Sequence, residues 1–452
     1  FAMVNLLGNE AGKAIYDGHA LYAEHGELLL ESDRFSFRSY QIHPVEVDLT
    51  AVRQEKLRNH SRKNGREESP PSLQLDLRPH GRSPAYRSGS IAMLSPYIEF
   101  TRAAALGLFD YLRKTRSRGY VISLSGGADS AAALILVERM LRHALREYTP
   151  ETLLRRLGRS DLSQRLQRLQ ASGKATDAVF LRFFMRELCH TIYQSTAQSS
   201  NTTRDAARLI ARSLHSQHLE VDIDDVVGLY TERLSSAMKR SFNWNRDDLT
   251  LQNIQARARA PLAWMLANAT GSLLISTGNR SEAAMGYATM DGDTAGGVSP
   301  LAGISKAFLR RWLFWMEEEG DEFGPIPALE AINAQAPTAE LRPAGSGQTD
   351  ETDLMPYDLL EEIELAWLRE GHSPAAIHAR LCETRPESPS TLAGYVVKFF
   401  EFFARSQWKR ERLAPGFYLG PIALDPRSWY RFPILNASFA EELAEVRKAI
   451  RN

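Results

Sequence analysis

At 452 residues, 43% of them hydrophobic and 24% charged, the chain has the make-up of an ordinary folded protein with the length of about three domains. Its 55 Lys and Arg are matched by 55 Asp and Glu, so the formal charge is zero and a nucleic-acid binder held by phosphate contacts is excluded. No stretch approaches about 18 consecutive apolar residues, so no membrane span is expected. Two cysteines, Cys189 and Cys382, cannot build a disulfide framework and suit a reducing compartment. With Phe1 first and no basic-then-apolar leader, the expectation is a cytoplasmic protein without its true N-terminus. Asn-x-Ser/Thr triplets, among them those at Asn201, Asn268 and Asn436, read as chance in that setting.

Residues 1–50 read as strands and tight turns. Phe1–Val4 is a short apolar run. Ile15–Gly18 and Leu21-Tyr22, with a turn at His25-Gly26, lead as a hairpin into Leu28–Leu30, and a last strand is expected over Tyr40–Val47. So few residues cannot cover both faces of a sheet, which makes them the tail of a larger domain. From Arg53 to Arg87, nine Lys/Arg stand against four Asp/Glu among several prolines, and 51–89 is expected to be a solvated linker.

Beyond residue 90, strands alternate with helices. Strands are predicted at Tyr120–Leu124, His190–Tyr193, His218–Ile223 and Ser272–Ser276. Helices are predicted at Ala131–Leu145, Thr203–His215, Asp224–Lys239 and Gln252–Ala269. Such alternation implies an α/β fold, a parallel sheet with helices on both faces. Residues 147–187 are too long for a simple crossover, and Leu154, Leu157, Leu162, Leu166 and Leu169 recur at helical spacing, so an inserted helical hairpin is expected. After Ser305 the chain reads as helical. Phe399, Phe400, Phe402 and Phe403 are expected to pack a C-terminal helix into the core, and Cys189 to be a small buried residue. The eleven histidines have no metal-ligand spacing, so no structural zinc is expected.

The central chemical signal is Ser125-Gly126-Gly127-Ala128-Asp129-Ser130, between a strand and a helix. Two glycines let the backbone fold tightly enough for consecutive N–H groups to converge on a phosphate. The helix N-terminus adds its own unpaired N–H groups. Asp129 would repel phosphate unless a cation sat between them, which implies Mg2+. The plainer alternative is a glycine turn with Asp129 or Ser130 as an ordinary helix cap. This is no Walker A loop; Gly8-x-x-x-Gly12-Lys13-Ala14 has the wrong spacing for one.

A second cluster runs from Ser272 through Thr277-Gly278-Asn279-Arg280-Ser281-Glu282, followed by Gly286-Tyr287-Ala288-Thr289-Met290-Asp291-Gly292-Asp293. Polar groups at the carboxyl end of a strand are where open parallel sheets bind ligands. Glu282 could supply a second carboxylate for the cation at Asp129. Asp291-Gly292-Asp293 is not a Ca2+ loop, because Ala295 and Ala302 stand where further ligands should be.

The hexapeptide resembles the pyrophosphate loop of ATP pyrophosphatases, which cleave ATP to AMP and pyrophosphate while activating a carbonyl oxygen. With Gln252–Arg259, Pro300–Lys306, Pro337–Leu341, Gln348–Glu351, Pro356–Asp358 and Trp408–Pro415 in order, residues 90–435 resemble the synthetase domain of NAD+ synthetases. Asn5–Gly12, Tyr16–Gly18 and Gly26–Leu29 resemble the end of the nitrilase-type glutaminase domain fused to it in the glutamine-dependent branch. The resemblance implies residues 1–50 as a β-rich remnant of that α/β/β/α domain and 90–452 as the synthetase, Rossmann-like, with a helical insert at 147–187 and a helical C-terminal extension.

What the resemblance implies for the site is specific. Ser125, Gly126, Gly127, Ala128, Asp129 and Ser130 would hold the ATP phosphates, with Asp129 and Glu282 near Mg2+. Thr277 would contact ATP, and Lys306 stands where the family places a phosphate-binding lysine. Asn253, Lys409 and the turn Tyr287, Ala288, Thr289, Met290 would hold deamido-NAD+, with Arg257 and Arg259 as anchors for its phosphates. Glu282 would reach the substrate as well. Ammonia-dependent relatives carry Lys where this chain has Met290, and Asp where it has Gly297, removing a charge pair. The implied reaction is ATP-dependent amidation of deamido-NAD+ to NAD+ through an adenylate. The charges suit it: a carboxylate approaching the α-phosphate is anion meeting anion, so alignment and neutralisation are the main tasks. Glutamine would be the nitrogen donor in an intact enzyme. The family's glutaminase Cys, Glu and Lys all belong upstream, so free ammonia is expected for this chain. A homo-oligomer is expected, since the family shares its substrate pocket between subunits. The alternatives are another amide-forming ATP pyrophosphatase, or a non-catalytic nucleotide-binding protein.

Overall fold

The computed structural model describes residues 1–48 except 11 and 25, residue Gln54, and residues 93–451 except 174, 337–340, 343–348, 429 and 436–438. The expected linker, apart from Gln54, and the motif residues Pro337–Glu340 and Gln348 lie outside them. The chain divides into two compact units, residues 1–7 with 17–93, and residues 8–16 with 94–452.

In the first unit, β1 (Ala2–Val4), β4 (Ala20–Glu24) and β5 (Glu27–Glu31) form an antiparallel sheet in the order β1-β4-β5. The predicted turn before Glu27 is therefore the β4–β5 hairpin. β2 (Leu7–Glu10) and β3 (Ala14–Asp17), which fall almost wholly in the second unit, pair with each other. The strand expected over Tyr40–Val47 does not form. Its apolar residues Tyr40, Ile42, Val45 and Val47 are exposed, so alternation there has no buried face to serve.

The second unit is built on four parallel strands, β6 (Tyr120–Ser123), β7 (Cys189–Ser195), β8 (Gln217–Asp222) and β9 (Leu273–Ile275), in the order β8-β7-β6-β9. In register, Val121 lies between His190 and Leu274. Tyr120, Val121 and Ile122 have no solvent exposure, which explains why β6 is continuously apolar rather than alternating. The order reverses between β6 and β9, and that switch point opens a crevice at the carboxyl ends of these two strands.

Helix α1 (Pro96–Thr115), capped by the Ser95 side chain, precedes β6, and α2 (Ala128–Glu147), buried all round from Ser130 to Leu141, follows it. α2 starts three residues before the predicted Ala131, because Gly127 is already the extended N-cap. Asp129 and Ser130 thus lie in its first turn, where the helix dipole favours an acid. The insert is not one hairpin. It comprises α3 (Pro150–Arg156), a 3-10 turn at Ser160–Leu162, α4 (Ser163–Ala171) and α5 (Asp177–Leu188). Gly158, with positive φ, breaks the leucine pattern between Leu157 and Leu162, and Gly173, also with positive φ, follows the end of α4.

α6 (Asn201–Ser213) and α7 (Asp224–Met238) follow, then α8 (Trp244–Thr270). α8 begins eight residues before the predicted Gln252, capped by the Asn243 side chain and kinked at Asp247. Its first turns are polar and half-exposed, so they carry little apolar periodicity. Next come the short α9 (Arg280–Met285) and α10 (Lys306–Glu318). The C-terminal helices α11 (Tyr357–Leu368), α12 (Pro374–Thr384), α13 (Pro389–Arg405) and α14 (Ala440–Arg451) enclose a second core. Phe399, Phe400 and Phe403 are fully buried there, as expected, with Phe402 packed at the margin.

Candidate functional site

The crevice at the switch point holds a pocket of about 260 Å³. One wall is the turn between β6 and α2. Gly126 has φ +81°, and a Cβ there would run into the Thr203 carbonyl, so only glycine suits the position. Ser125 and Ser130 lock the turn. The Ser125 N–H donates to Ser130 Oγ at 3.2 Å, the two hydroxyls are 3.1 Å apart, and Ser130 Oγ donates to the Gly127 carbonyl. No side chain caps α2 at Gly127, so its first N–H groups are not taken by a cap.

The opposite wall comes from the end of β9. Asn279 and Glu282 form a capping box on α9: the Glu282 N–H donates to Asn279 Oδ1 at 3.0 Å, and the Asn279 N–H to Glu282 Oε2 at 3.4 Å. The amide nitrogen of Asn279 also donates to Asp129 Oδ1 at 2.8 Å, joining the two walls. Between them sits Lys306, the first residue of α10, 3% exposed. Its ammonium ion-pairs with Asp129 Oδ2 and lies 3.4 Å from Glu282 Oε1.

Charge crowding governs this cluster. Burial, then the neighbouring Asp129 carboxylate, pushes the Glu282 carboxyl up to about 8, although Lys306 opposes this. Burial works against the Lys306 charge, but Asp129, Glu282 and Asp350 outweigh it and hold the ammonium above its usual range. Asp350, also pocket-lining, is raised by burial and accepts a hydrogen bond from the Tyr357 hydroxyl at 3.0 Å. Asp293 is raised by burial too, and its carboxylate holds the Thr289 N–H at 2.9 Å.

The NAD synthase family model matches residues 100–411.

The chain belongs to the NAD synthase family.

Among curated relatives, the glutamine-dependent NAD(+) synthetase of Dictyostelium discoideum is 28% identical over 438 residues, 92% of this chain and 60% of that protein. The Bos taurus glutamine-dependent NAD(+) synthetase is 28% identical over 96% of this chain and 64% of its own length. The chain thus spans roughly three fifths of the relatives it matches. The crystal structure of a glutamine-dependent NAD(+) synthetase from Cytophaga hutchinsonii superposes with a TM-score of 0.78 at 36% identity, covering 98% of this chain and 64% of that one. The Acinetobacter baumannii glutamine-dependent NAD+ synthetase, solved with adenosine diphosphate, shares the fold at a TM-score of 0.51 and 20% identity. It covers 96% of this chain and 62% of its own.

Of the residues that family resemblance singles out, Ser125, Gly127, Ala128, Asp129, Ser130, Thr277, Glu282 and Lys306 line one pocket, with Gly126 in the backbone behind them. Arg259 and Tyr287 line it as well. Asn253, Arg257 and Lys409 sit elsewhere, around the 286–290 turn. Thr289 Oγ1 donates to Asn253 Oδ1 at 2.9 Å, Arg257 Nε donates to the Met290 carbonyl at 3.0 Å, and Lys409 Nζ donates to the Gly286 and Ala288 carbonyls at 2.7 and 2.9 Å. In this NAD synthase chain, then, their first contacts are with the turn itself. At Gly297 a Cβ would meet Leu273 at 3.5 Å, so the space for a side chain remains.

Four site residues were not singled out from sequence. Asn279, three before Glu282, carried the capping-box signal, and Asp350 lay in a recognised motif without a role. Tyr357 stands in the Pro356–Asp358 motif without a role, and Asp293 in the Gly286–Asp293 cluster and the rejected Ca2+ loop without one. Among the described residues His143, Asp321 and Glu322 also stand close together, but Asp321 and Glu322 already pair with Arg139 and Arg102.

Proposed function

We propose that this chain carries out the ATP-dependent amidation of deamido-NAD+ to NAD+, through an adenylated carboxylate, with release of AMP and pyrophosphate. The observation that carries the reading is the meeting of Asp129, Glu282 and Lys306 beside the Ser125–Ser130 turn in one pocket at the switch point. The turn and the open N-terminus of α2 would take the phosphates, and Lys306 would neutralise the leaving pyrophosphate. Asp129 and Glu282 are hard oxygen donors facing one shared cation position, so they fit Mg2+, which would add charge neutralisation at the phosphates. Thr277, Arg259 and Tyr287 would contact the nucleotides from the remaining walls. Asn253, Arg257 and Lys409 would act on the dinucleotide by holding the turn of Tyr287, Ala288, Thr289 and Met290 in place.

Free ammonia is the proposed nitrogen donor for these 452 residues. A glutaminase of the nitrilase type needs a reactive thiol; burial pushes the Cys189 thiol up to about 12, and Cys382 belongs to α12 in the C-terminal helical core. With both cysteines free, a reducing, cytoplasmic setting suits the chain. Among the described residues no helix is long and apolar enough to cross a membrane. The division into a glutaminase remnant (1–50), a linker (51–89) and a synthetase (90–452) remains part of this reading.

Assembly with a second copy is also proposed. Helix α7 has no buried residue, yet Val226, Leu229, Tyr230, Leu234 and Met238 follow helical spacing on it. The deciding experiment is NAD+ formation from ATP, Mg2+ and deamido-NAD+, run with ammonium and with glutamine, while pyrophosphate is followed. NAD+ with ammonium alone is expected. Pyrophosphate release without NAD+ would favour another acyl acceptor, and neither product from folded protein would favour a nucleotide-binding role without catalysis.

A further inference from the structure

We propose that the Lys306 ammonium is the resident cation of the Asp129–Glu282 site in the nucleotide-free protein, so that a divalent cation enters only with the nucleotide that draws Lys306 away. This rests on the reading of Asp129 and Glu282 as the metal carboxylates.

Every oxygen of the two carboxylates faces a donor from the protein. Asp129 Oδ1 accepts from the Asn279 amide at 2.8 Å, and Asp129 Oδ2 takes the Lys306 ammonium. Glu282 Oε2 faces the Asn279 N–H at 3.4 Å, and Glu282 Oε1 faces Lys306 Nζ at 3.4 Å. The ammonium also lies 5.9 Å from the centre of the Tyr357 ring, a further cation-stabilising contact. A divalent ion arriving alone would have to share this buried space with a lysine that cannot leave for water without giving up its ion pair with Asp129 and its contact with Glu282. Like charges at such separations repel strongly where solvent is scarce.

A nucleotide changes the balance. Its phosphates offer Lys306 an anion of equal or greater charge along the adjoining turn. The backbone of Lys306 is anchored by its N–H to Ser281 Oγ and by the Ser305 N-cap of α10, so only the flexible four-carbon stem needs to move. The vacated carboxylates then accept the divalent ion. The order of binding therefore follows from one side chain having two alternative anions.

The test uses Mn2+ as probe on the full chain. Free Mn2+ is read by electron paramagnetic resonance during titration without nucleotide. Lys306→Met and, should that variant not fold, Lys306→Gln are expected to bind Mn2+ at least about tenfold more tightly than wild type. Adding Asp129→Asn to either should abolish the gain. Equal affinity, within about threefold, in wild type and the Lys306 variants overturns the proposal, as does a gain that survives Asp129→Asn. NAD+ synthesis is measured on wild type in parallel. Synthesis with equal Mn2+ affinities would sink this inference alone, whereas the tenfold gain without synthesis would sink the functional reading alone.

Discussion

The Asn279 amide bridges two loops 150 residues apart in sequence: its oxygen accepts the Glu282 N–H and its nitrogen donates to Asp129 Oδ1. One side chain thus caps α9 and fixes the distance between the two carboxylates on which the proposed chemistry depends. Asn279→Ser keeps the cap, since Ser and Asn cap equally well, but is too short to donate to Asp129. The expected result is a small stability change, within ~1 kcal/mol by urea denaturation, with kcat/KM for NAD+ formation at least ~10-fold lower. Equal losses of stability and activity would reduce Asn279 to a cap.

The two glycines of the phosphate turn should behave differently. Gly126→Ala forces a Cβ into the Thr203 carbonyl at φ +81° and is expected to cost about 1–3 kcal/mol or more. At Gly127 the backbone is extended and the nearest atom to a new Cβ is Ser125 Oγ at 3.4 Å. Gly127→Ala should stay within ~1 kcal/mol of wild type. Chemical denaturation of both variants checks the contrast.

Glu282 sets a pH dependence of stability. Its carboxyl is raised to about 8 by burial and then by Asp129. Between the ordinary carboxylate range and that value, the folded protein binds a proton that the unfolded chain has lost, so this contribution is full at low pH and disappears as pH rises through about 8. Wild type should therefore lose more Tm than Glu282→Gln between pH 6 and 9, Gln preserving the capping box. Parallel Tm curves for the two proteins would contradict the assignment.

Lys306→Met should lower kcat/KM for NAD+ formation by ~100-fold or more, because it removes the buried cation nearest the proposed leaving group. Steady-state kinetics at saturating ammonium measure this. A loss confined to KM for ATP, with kcat intact, would mean that Lys306 only binds the nucleotide.

Leu229→Glu with Leu234→Glu on α7 places charge in the exposed apolar stripe. If a second copy covers it, sedimentation should show wild type as an oligomer and the double variant as a monomer with unchanged secondary structure. A wild-type monomer would leave that stripe to another partner.

The sequence by itself determined the parallel α/β architecture, the glycine turn after β6 and the approximate place of the four parallel strands. Those features are local: continuous apolar runs make buried strands, and a turn with positive φ needs glycine whatever surrounds it. Ser125–Ser130 and Glu282 were legible as candidates from residue types matched to phosphate and cation, whereas Thr277 and Lys306 were singled out by the family resemblance. Tertiary structure alone decided who touches whom. The strand order β8-β7-β6-β9 brings the ends of β6 and β9 side by side, and only then can Asn279 reach Asp129, or Asp350 approach Lys306. It also turned Lys409 and Arg257 toward backbone carbonyls of the 286–290 turn. The expected strand at Tyr40–Val47 failed on the same ground: period-two patterning describes a preference, and burial against a neighbour is what makes a strand form.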